Sequence, residues 1–455
     1  MKNRRLNDFT TGPVTKQLVM FTLPLLISTL LQTFYNMADR SVAGMYGGKV
    51  ALAAVGSTGT ATALLLGLVN GLSAAANVVI SNFLGARKYK EKQEAMHTAM
   101  LLAAVCGSVM AVIGLFLAKP ILRLMNSPED VIDGASLYMR IFMAGSPFSM
   151  IYNFGSAIMR SHGDTKRPTV ILSLSGILNV LFNLFFAIVC HMPVAGVALA
   201  TIIAQAVSAF AVVWILFSPR DEFKMRWREL HFHKQHMRSI IQIGIPCGLN
   251  PIVFNVANAL LQSTINGFGS VVVAGNVAAD SINTFVYCVP ASLYTACVSF
   301  SGQCYGAGKF DRLSKAMRSA LLIGGGLTLI SGAGIIAFPR TFLGLFASDE
   351  AVIDAGISKL FIMILTIVPY TFGQVLMGIL RGMRRSTGPT LINALAVCLP
   401  RILWIIFVFP LNPTTFMLYL CLPISNLLDF VALTVYYAVA HKKLRKQVAL
   451  KEALL

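Results

Sequence analysis

The sequence predicts an all-α polytopic membrane protein, with twelve transmembrane helices in two six-helix bundles related by a parallel pseudo-two-fold. Three observations lead there. First, 56% of the 455 residues are hydrophobic and only 12% are charged, with a mean hydropathy of +0.72, whereas a soluble domain carries about 25% charged residues. Second, apolar stretches recur at about the 20-residue length that crosses a hydrocarbon core. Third, the second half repeats the first at a shift of 221 residues: LRLMNSPEDVID at 122–133 returns as LGLFASDEAVID at 343–354. The same shift carries Gly85-Ala86, Lys88, Ala95-Met96, Arg160 and Pro168-Thr169 onto Gly306-Ala307, Lys309, Ala316-Met317, Arg381 and Pro389-Thr390. A fixed period in an apolar chain marks a duplicated architecture of the kind that secondary transporters use.

The apolar pattern places spans near 17–40, 51–82, 97–117, 135–159, 169–190 and 194–217 in the first half. In the second half they fall near 239–265, 272–304, 317–338, 353–380, 390–410 and 413–440. Pro24 and Pro246 sit early in the first span of each half, where a missing backbone donor kinks a helix. Six spans per half return each half to its starting side, so the copies are parallel and their axis runs along the membrane normal. The one long polar break sets the expected boundaries: an N-lobe at 1–217, a linker at 218–238 and a C-lobe at 239–455.

Charge gives orientation. The net charge of +19 would suit a nucleic-acid partner, but its distribution argues against one. One set of loops and tails holds 29 Lys/Arg, against five on the other side: Lys49, Lys119, Arg123, Arg340 and Lys359. This bias puts both termini and the linker in the cytoplasm of a bacterial plasma membrane. The N-terminal MKNRRLNDFT lacks a signal-peptide apolar core, so the first span is expected to be retained. The eight cysteines all fall in or beside apolar segments, with no CxxC pair, and read as small buried apolar residues. The linker's HFHKQH run at 231–236 is read as headgroup-level polar chain rather than a metal site, since a polar linker at the membrane surface accounts for it.

An intramembrane acid is a functional candidate by default, because an ionised carboxylate in a bilayer is costly. Apart from Asp354 at the entry to the tenth span, three fall inside the spans: Asp39, Asp280 and Asp429. Asp39 lies about 22 Å along the helix from Pro24 at 1.5 Å per residue, in the outer half of its span. It is expected to face the bundle or a water-filled pocket, with Lys49 as an alternative ion-pair partner. Asp429 is open to pairing with Arg401, and Asp280 is the candidate second acid. Asn179 and Asn183 share one helix face, and Thr201 adds a hydroxyl. With Asp39 they form an all-oxygen set suited to a hard cation. Polar and aromatic candidates for a substrate cleft are Gln32, Tyr35, Asn36, Tyr152, Asn153, Tyr287 and Gln374, for each of which interhelical packing is the alternative.

The stretches LQTFYNMADRSVAGMYGGKVALAAVG (31–56), AIMRSHGDTKRPT (157–169), LNVLFN (178–183) and VAGVALATIIAQ (194–205) resemble the multidrug and toxic compound extrusion (MATE) transporters, within the MOP flippase superfamily. The resemblance covers nearly the whole chain. It implies a V-shaped pair of six-helix lobes that exports organic cations by alternating access, in exchange for H⁺ or Na⁺. It matches the family's first-span acid to Asp39, its span-5 asparagine to Asn179, its span-4 asparagine to Asn153 and its span-6 threonine to Thr201. The sequence departs at Asn183, where members with an N-lobe cation site carry Asp, and the family's acids in spans 7 and 10 are missing. A lone carboxylate loses the like-charge repulsion of a pair and one negative ligand for Na⁺.

The resulting expectation is a monomeric antiporter without cofactor or bound metal, with small organic cations and the lipid bilayer as its partners and no nucleic acid. The alternative in the same superfamily is a flippase for lipid-linked saccharides, which calls for a more cationic cavity than Arg40, Arg140 and Arg401 provide. An enzyme is not expected, as the HExxH and GxSxG motifs are missing.

Overall fold

The computed structural model describes residues 8–125, 129–219, 221 and 223–452. The first seven residues of the tail and the side chain of Lys49, the alternative partner for Asp39, lie outside them. The described residues are helical almost throughout. Eleven helices among them are long and apolar enough to cross a membrane: α1 (Val14–Gly48), α2 (Leu65–Gly85), α3 (Tyr89–Leu124), α6 (Lys166–Val189), α7 (Ala195–Leu216), α8 (Lys234–Asn266), α9 (Ser270–Gly306), α10 (Phe310–Ala337), α11 (Glu350–Gly382), α12 (Thr387–Leu411) and α13 (Thr415–Lys446). Two 16-residue helices, α4 (Glu129–Ala144) and α5 (Ser146–Ser161), occupy the place of the span expected at 135–159. A break at Gly145, ahead of Pro147, divides them.

The repeat is a repeat of backbone. α4 and α5 together run from 129 to 161, and α11 from 350 to 382, so both ends sit 221 residues apart and no residue is gained or lost. The cytoplasm-assigned turns agree in torsion as well. Arg87 (φ +57°) matches Gly308 (φ +70°), and Gly163 (φ +80°) matches Arg384 (φ +60°). A left-handed residue closes each helix so that the chain can reverse. Glycine does this freely, whereas arginine does so at a steric penalty of about 1–2 kcal/mol.

The chain sorts into two compact units. The first comprises Asp8 and Ile27–Gly248; the second comprises Phe9–Leu26 and the chain from Leu249 onward. Against the sequence-based boundaries, residues 9–26 therefore belong with the second unit and 239–248 with the first. The changeovers fall beside Pro24 and Pro246, and packing explains them. In the second unit Phe9, Leu18, Phe21 and Leu25 are buried in one cluster with Phe300, Leu313, Val375 and Leu380. Phe9 stacks on Phe300 with ring centroids 4.9 Å apart, and Arg312 donates to the carbonyls of Phe9, Thr11 and Gly12. In the first unit, α2 crosses the start of α8 at glycine on glycine: a Cβ on Gly71 would lie 2.3 Å from the Gly248 nitrogen and 2.6 Å from the Gly244 carbonyl oxygen. Only bare backbone permits that approach.

The linker is docked, not free in the headgroup layer. Phe223 and Met225 are buried. Gln93 Nε2 donates to the Phe223 carbonyl at 2.7 Å, and Arg167 forms an ion pair with Asp221 at 2.8 Å. His236 Nε2 meets Glu94 Oε2 at 3.1 Å. The Phe223 ring packs edge-on against His162, whose Nδ1 lies 2.9 Å from the Ile158 carbonyl oxygen.

Two predictions follow from this packing. Gly71→Val forces a branched side chain into backbone and should destabilise the first unit by about 1–3 kcal/mol, read as a lowered thermal midpoint in detergent; an unchanged midpoint would contradict the close crossing. The second concerns pH. Burial, with Lys92 nearby, drives the His162 imidazole from 6.5 down to about 3. Its folded value lies below its unfolded one, so the unfolded chain binds the extra proton as pH drops through about 6.5, and the stability held above that value is progressively lost toward 3. Between about pH 7 and 5 the wild-type midpoint should fall more steeply than that of His162→Gln. Parallel slopes would show that His162 is not the group responsible.

Candidate functional site

Asp39 lies on α1, nine residues before the kink at Gly48, and is half-buried in the first unit. Its Oδ1 accepts a hydrogen bond of 2.5 Å from Asn183 Nδ2. The same amide nitrogen donates to Asn179 Oδ1 at 3.3 Å. Asn179 Nδ2 then donates to Thr201 Oγ1 at 3.3 Å, and the Thr201 hydroxyl donates to the Val197 carbonyl at 2.9 Å. The four residues read from sequence as a set are thus brought together by α1, α6 and α7. Asn179 and Asn183 sit one turn apart on α6, just before its π-helical turn at Phe185–Val189; such turns recur at functional sites.

The amide directions carry chemical information. Asn183 Nδ2 donates both to the carboxylate and to Asn179, whereas Asn179 and Thr201 donate away from Asp39 toward α7, so Asn183 is the residue of the row that serves the carboxylate. The carbonyl oxygen of Asn183 is buried with no hydrogen-bond partner. An unpartnered buried oxygen beside a carboxylate is an acceptor held in reserve.

Asp39 lines a cavity of about 130 Å³. Gln32, Tyr35, Asn36, Tyr152 and Asn153 line the same cavity, as do Asn179 and Thr201. Five of the seven cleft candidates therefore share a space with the acid. Tyr35 donates from its hydroxyl to the Ser173 carbonyl at 3.1 Å. It fits against α6 because Gly176 is there: a Cβ at that position would sit 1.8 Å from the tyrosine ring. Tyr152 donates to the Pro168 carbonyl at 3.2 Å. Asn153 Nδ2 donates to Asn70 Oδ1 at 3.2 Å. Ser149, Ser175, Gln205 and Ser208 complete the polar lining and were not singled out in the sequence. Gln205 and Ser208 were within reach of a periodicity argument, since 201, 205 and 208 share one face of α7. Asn70 carried no such signal.

Tyr287 and Gln374 belong to the second unit and do not line this cavity; Tyr287 packs edge-on against Tyr370 at 5.0 Å. Asp280 is ion-paired with Lys359 at 2.5 Å. Lys359 Nζ also donates to Asn276 Oδ1 at 2.6 Å, and the Tyr419 hydroxyl donates to the same oxygen at 3.2 Å. Lys359, counted above with the outer-side loops, is 4% exposed within α11. The paired lysine neutralises Asp280, unlike Asp39. Arg401 is buried, but its donors go to Ser425 Oγ at 3.0 Å and Asn258 Oδ1 at 2.8 Å, so these groups take the place of the Asp429 pairing considered above. Asp429 Oδ1 is buried without a hydrogen-bond partner. Among the described residues no group of three or more His, Cys, Asp or Glu is arranged to hold a metal ion, the HFHKQH run included.

Comparison with known proteins accords with this geometry. The chain is 26% identical over 396 residues to the Probable multidrug resistance protein YoeA of Bacillus subtilis (strain 168), covering 84% of each chain. It is 28% identical over 311 residues to the Probable multidrug resistance protein YpnP of the same organism, covering 67% of this chain and 68% of that one. Its fold matches a solved outward-facing conformation of a multidrug resistance MATE family transporter of the MOP superfamily, with a TM-score of 0.90 at 23% identity, over 98% of this chain and 100% of that one. The MatE family model matches residues 24–185 and 246–406, one match in each copy of the repeat and together more than half of the sequence, so the chain belongs to the MatE family of membrane transporters.

Proposed function

We propose that the protein is a cation-coupled antiporter that exports organic cations across the plasma membrane, with Asp39 as the coupling group and H⁺ as the favoured ion over Na⁺. In this reading α4 and α5 together make the twelfth crossing, both termini are cytoplasmic, and the two six-helix lobes alternate in access about a parallel axis. The relatives' names as multidrug resistance proteins support the substrate class.

The observation that carries the reading is the bond from Asn183 to Asp39. A carboxylate in an apolar span is costly unless it is partnered, and here its partners are neutral amides rather than a fixed cation. Its charge can therefore be cancelled reversibly by an arriving ion. The Asp280–Lys359 pair at 2.5 Å has its cancelling charge built in and is a poor exchanger.

The choice of proton rests on the same geometry. A Na⁺ ion needs several oxygens turned toward it, whereas the Asn183 group facing Asp39 is an NH₂ donor. Binding Na⁺ would require that amide to turn and would still offer only one negative ligand. A proton needs only the carboxylate. The cavity of about 130 Å³ is also below the ~300–1,000 Å³ of drug-sized sites, so in this conformation it suits an ion with water. A drug would enter only after the site opens. Protonation turns one carboxylate oxygen into a donor and weakens the charge-assisted bond from Asn183. It thereby changes the contact between α1 and α6, which gives the ion a differential effect on two conformations. Exchange of a singly charged drug for one proton is electroneutral and draws on the pH gradient rather than the potential, worth about 2.3 kcal/mol per charge per 100 mV.

In everted vesicles, Asp39→Asn should abolish ethidium efflux, while Asp280→Asn, if folded, should retain most of it. The reverse result would move the coupling site to the second unit. Asn183→Asp restores a second carboxylate beside the first. The prediction is that a Na⁺ gradient alone then drives efflux in proteoliposomes, which it does not do for the wild type. Wild-type efflux driven by Na⁺ without a pH gradient would overturn the choice of proton.

A further inference from the structure

The two copies treat one location differently. In the first unit, the N-terminal turns of α3 are covered by the linker. Gln93 bonds to Phe223 and Glu94 to His236. His97 Nε2 accepts from the Arg226 amide at 3.3 Å, and Thr98 Oγ1 from the His233 amide at 3.2 Å. The linker is also tied to the end of α7, where the Met225 amide donates to the Leu216 carbonyl at 3.2 Å. In the second unit the corresponding helices are α10 and α13. At the shift of 221, Gln93, Glu94 and His97 become Ser314, Lys315 and Arg318. The chain here does not turn back as it does after Leu216: the helix continues to Glu452.

A cleft of about 940 Å³ is left between these two helices. Its cationic wall consists of Lys315, Arg318, Lys442, Arg445 and Lys446, and its one acid, Asp311, is paired with Arg445. Its floor is polar, with Ser314 Oγ 3.1 Å from His441 Nε2 and 3.4 Å from the Tyr437 hydroxyl. Toward the membrane interior the lining becomes Met317, Thr434 and Ala438. Beyond these, Val431 on the same helix and Leu322 on the other are 51% and 78% exposed, as expected of side chains against acyl tails.

We propose that this cleft binds the headgroup of an anionic phospholipid. The positive-inside bias explains why basic residues lie on this side. It does not explain why Glu94 and His97 are replaced by Lys315 and Arg318 at the register where the other copy is covered by its own linker. A phosphodiester offers the acidic oxygens that Lys and Arg recognise, and basic pockets between transmembrane helices at the cytoplasmic surface bind such headgroups. The apolar lower wall continues where the acyl chains would run. That feature favours a lipid over an acidic peptide or free phosphate, neither of which has anything to place there. The proposal is independent of the transported substrate and of Asp39.

The test is native mass spectrometry of the full-length protein in non-ionic detergent, titrated with phosphatidylglycerol or phosphatidylcholine of identical acyl chains. One phosphatidylglycerol should be retained with at least about tenfold preference. Lys315→Gln combined with Arg318→Gln should remove the preference. So should Lys442→Gln combined with Lys446→Gln, which alters only accessible side chains at a helix end and so guards against a folding defect in the first pair. Lys224→Gln combined with Lys234→Gln, in the linker, should keep it. Equal retention of the two lipids, or a preference that survives both cleft variants, overturns the proposal. Displacement of the lipid by millimolar inorganic phosphate also overturns it, in favour of a small-anion site.

Discussion

A carboxylate on an apolar helix must find its hydrogen-bond donors within the protein, because lipid supplies none. The first unit is organised around that requirement at Asp39. Asn183 supplies the donor at 2.5 Å, but an asparagine in the same environment has its own amide to satisfy. The need passes to Asn179, then to Thr201, and ends on a backbone carbonyl of α7. Asp39 thus ties α1 to α6, and Asn179 ties α6 to α7. The bare backbone of Gly176, which admits Tyr35, lets α1 lie close enough to α6 for the row to form. In the proposed coupling, removing the charge at Asp39 acts on the bond that ties α1 to α6.

The second unit shares the frame but not the polar contents. Its helices match at a constant shift, down to the left-handed torsions at Gly308 and Arg384. Yet its intramembrane acid at 280 has a lysine partner, and Arg401, 1% exposed, is the most buried of its Asp, Glu, Lys and Arg side chains among the described residues. A duplicated backbone provides two equivalent scaffolds; which one exchanges an ion is decided by whether the countercharge is built in. On that criterion Asp39 is suited to exchange and Asp280 is not, and the Asp280–Lys359–Asn276–Tyr419 network is suited to structural cross-linking of α9, α11 and α13.

The sequence made the helices, the repeat and the three residues grouped with Asp39 legible, each for a physical reason. Span length follows from bilayer thickness, and the repeat from a register that insertions never broke. The asparagine pair followed from helical periodicity. What could not be read was anything that depends on which neighbouring backbone approaches. Lys359 looks like an outer-loop cation by position and is a buried partner of Asp280 by packing. HFHKQH looks like headgroup-level chain, yet His236 is buried against Glu94. Arg87 and Arg384 give no sign in either copy alone that they adopt left-handed torsions. The sign appears only when each is set beside the glycine at its repeat-equivalent position.

The exchange of opening segments between the units is the least legible feature and has the widest consequence. A linear reading gives each half its own first helix, whereas α1 and α8 each begin in one unit and finish in the other. The anchors at both ends are strong. Phe9 and Arg312 hold the start of α1 in the second unit, while Gly71 against Gly248 and Glu94 against His236 hold the start of α8 in the first. Between the anchors, each helix carries a proline within about one turn of the changeover. A proline lacks the amide that would bond back one turn, which makes it the weakest point in bending along a helix. In the proposed alternating access, relative movement of the units is absorbed by the two helices whose residues fall in both. Their compliant points lie at Pro24 and Pro246, and Asp39 lies farther along the first of these helices. Under the coupling proposed for Asp39, a change in its charge bears directly on a helix whose residues fall in both units, which is a shorter route from ion to conformation than any path through the packed core.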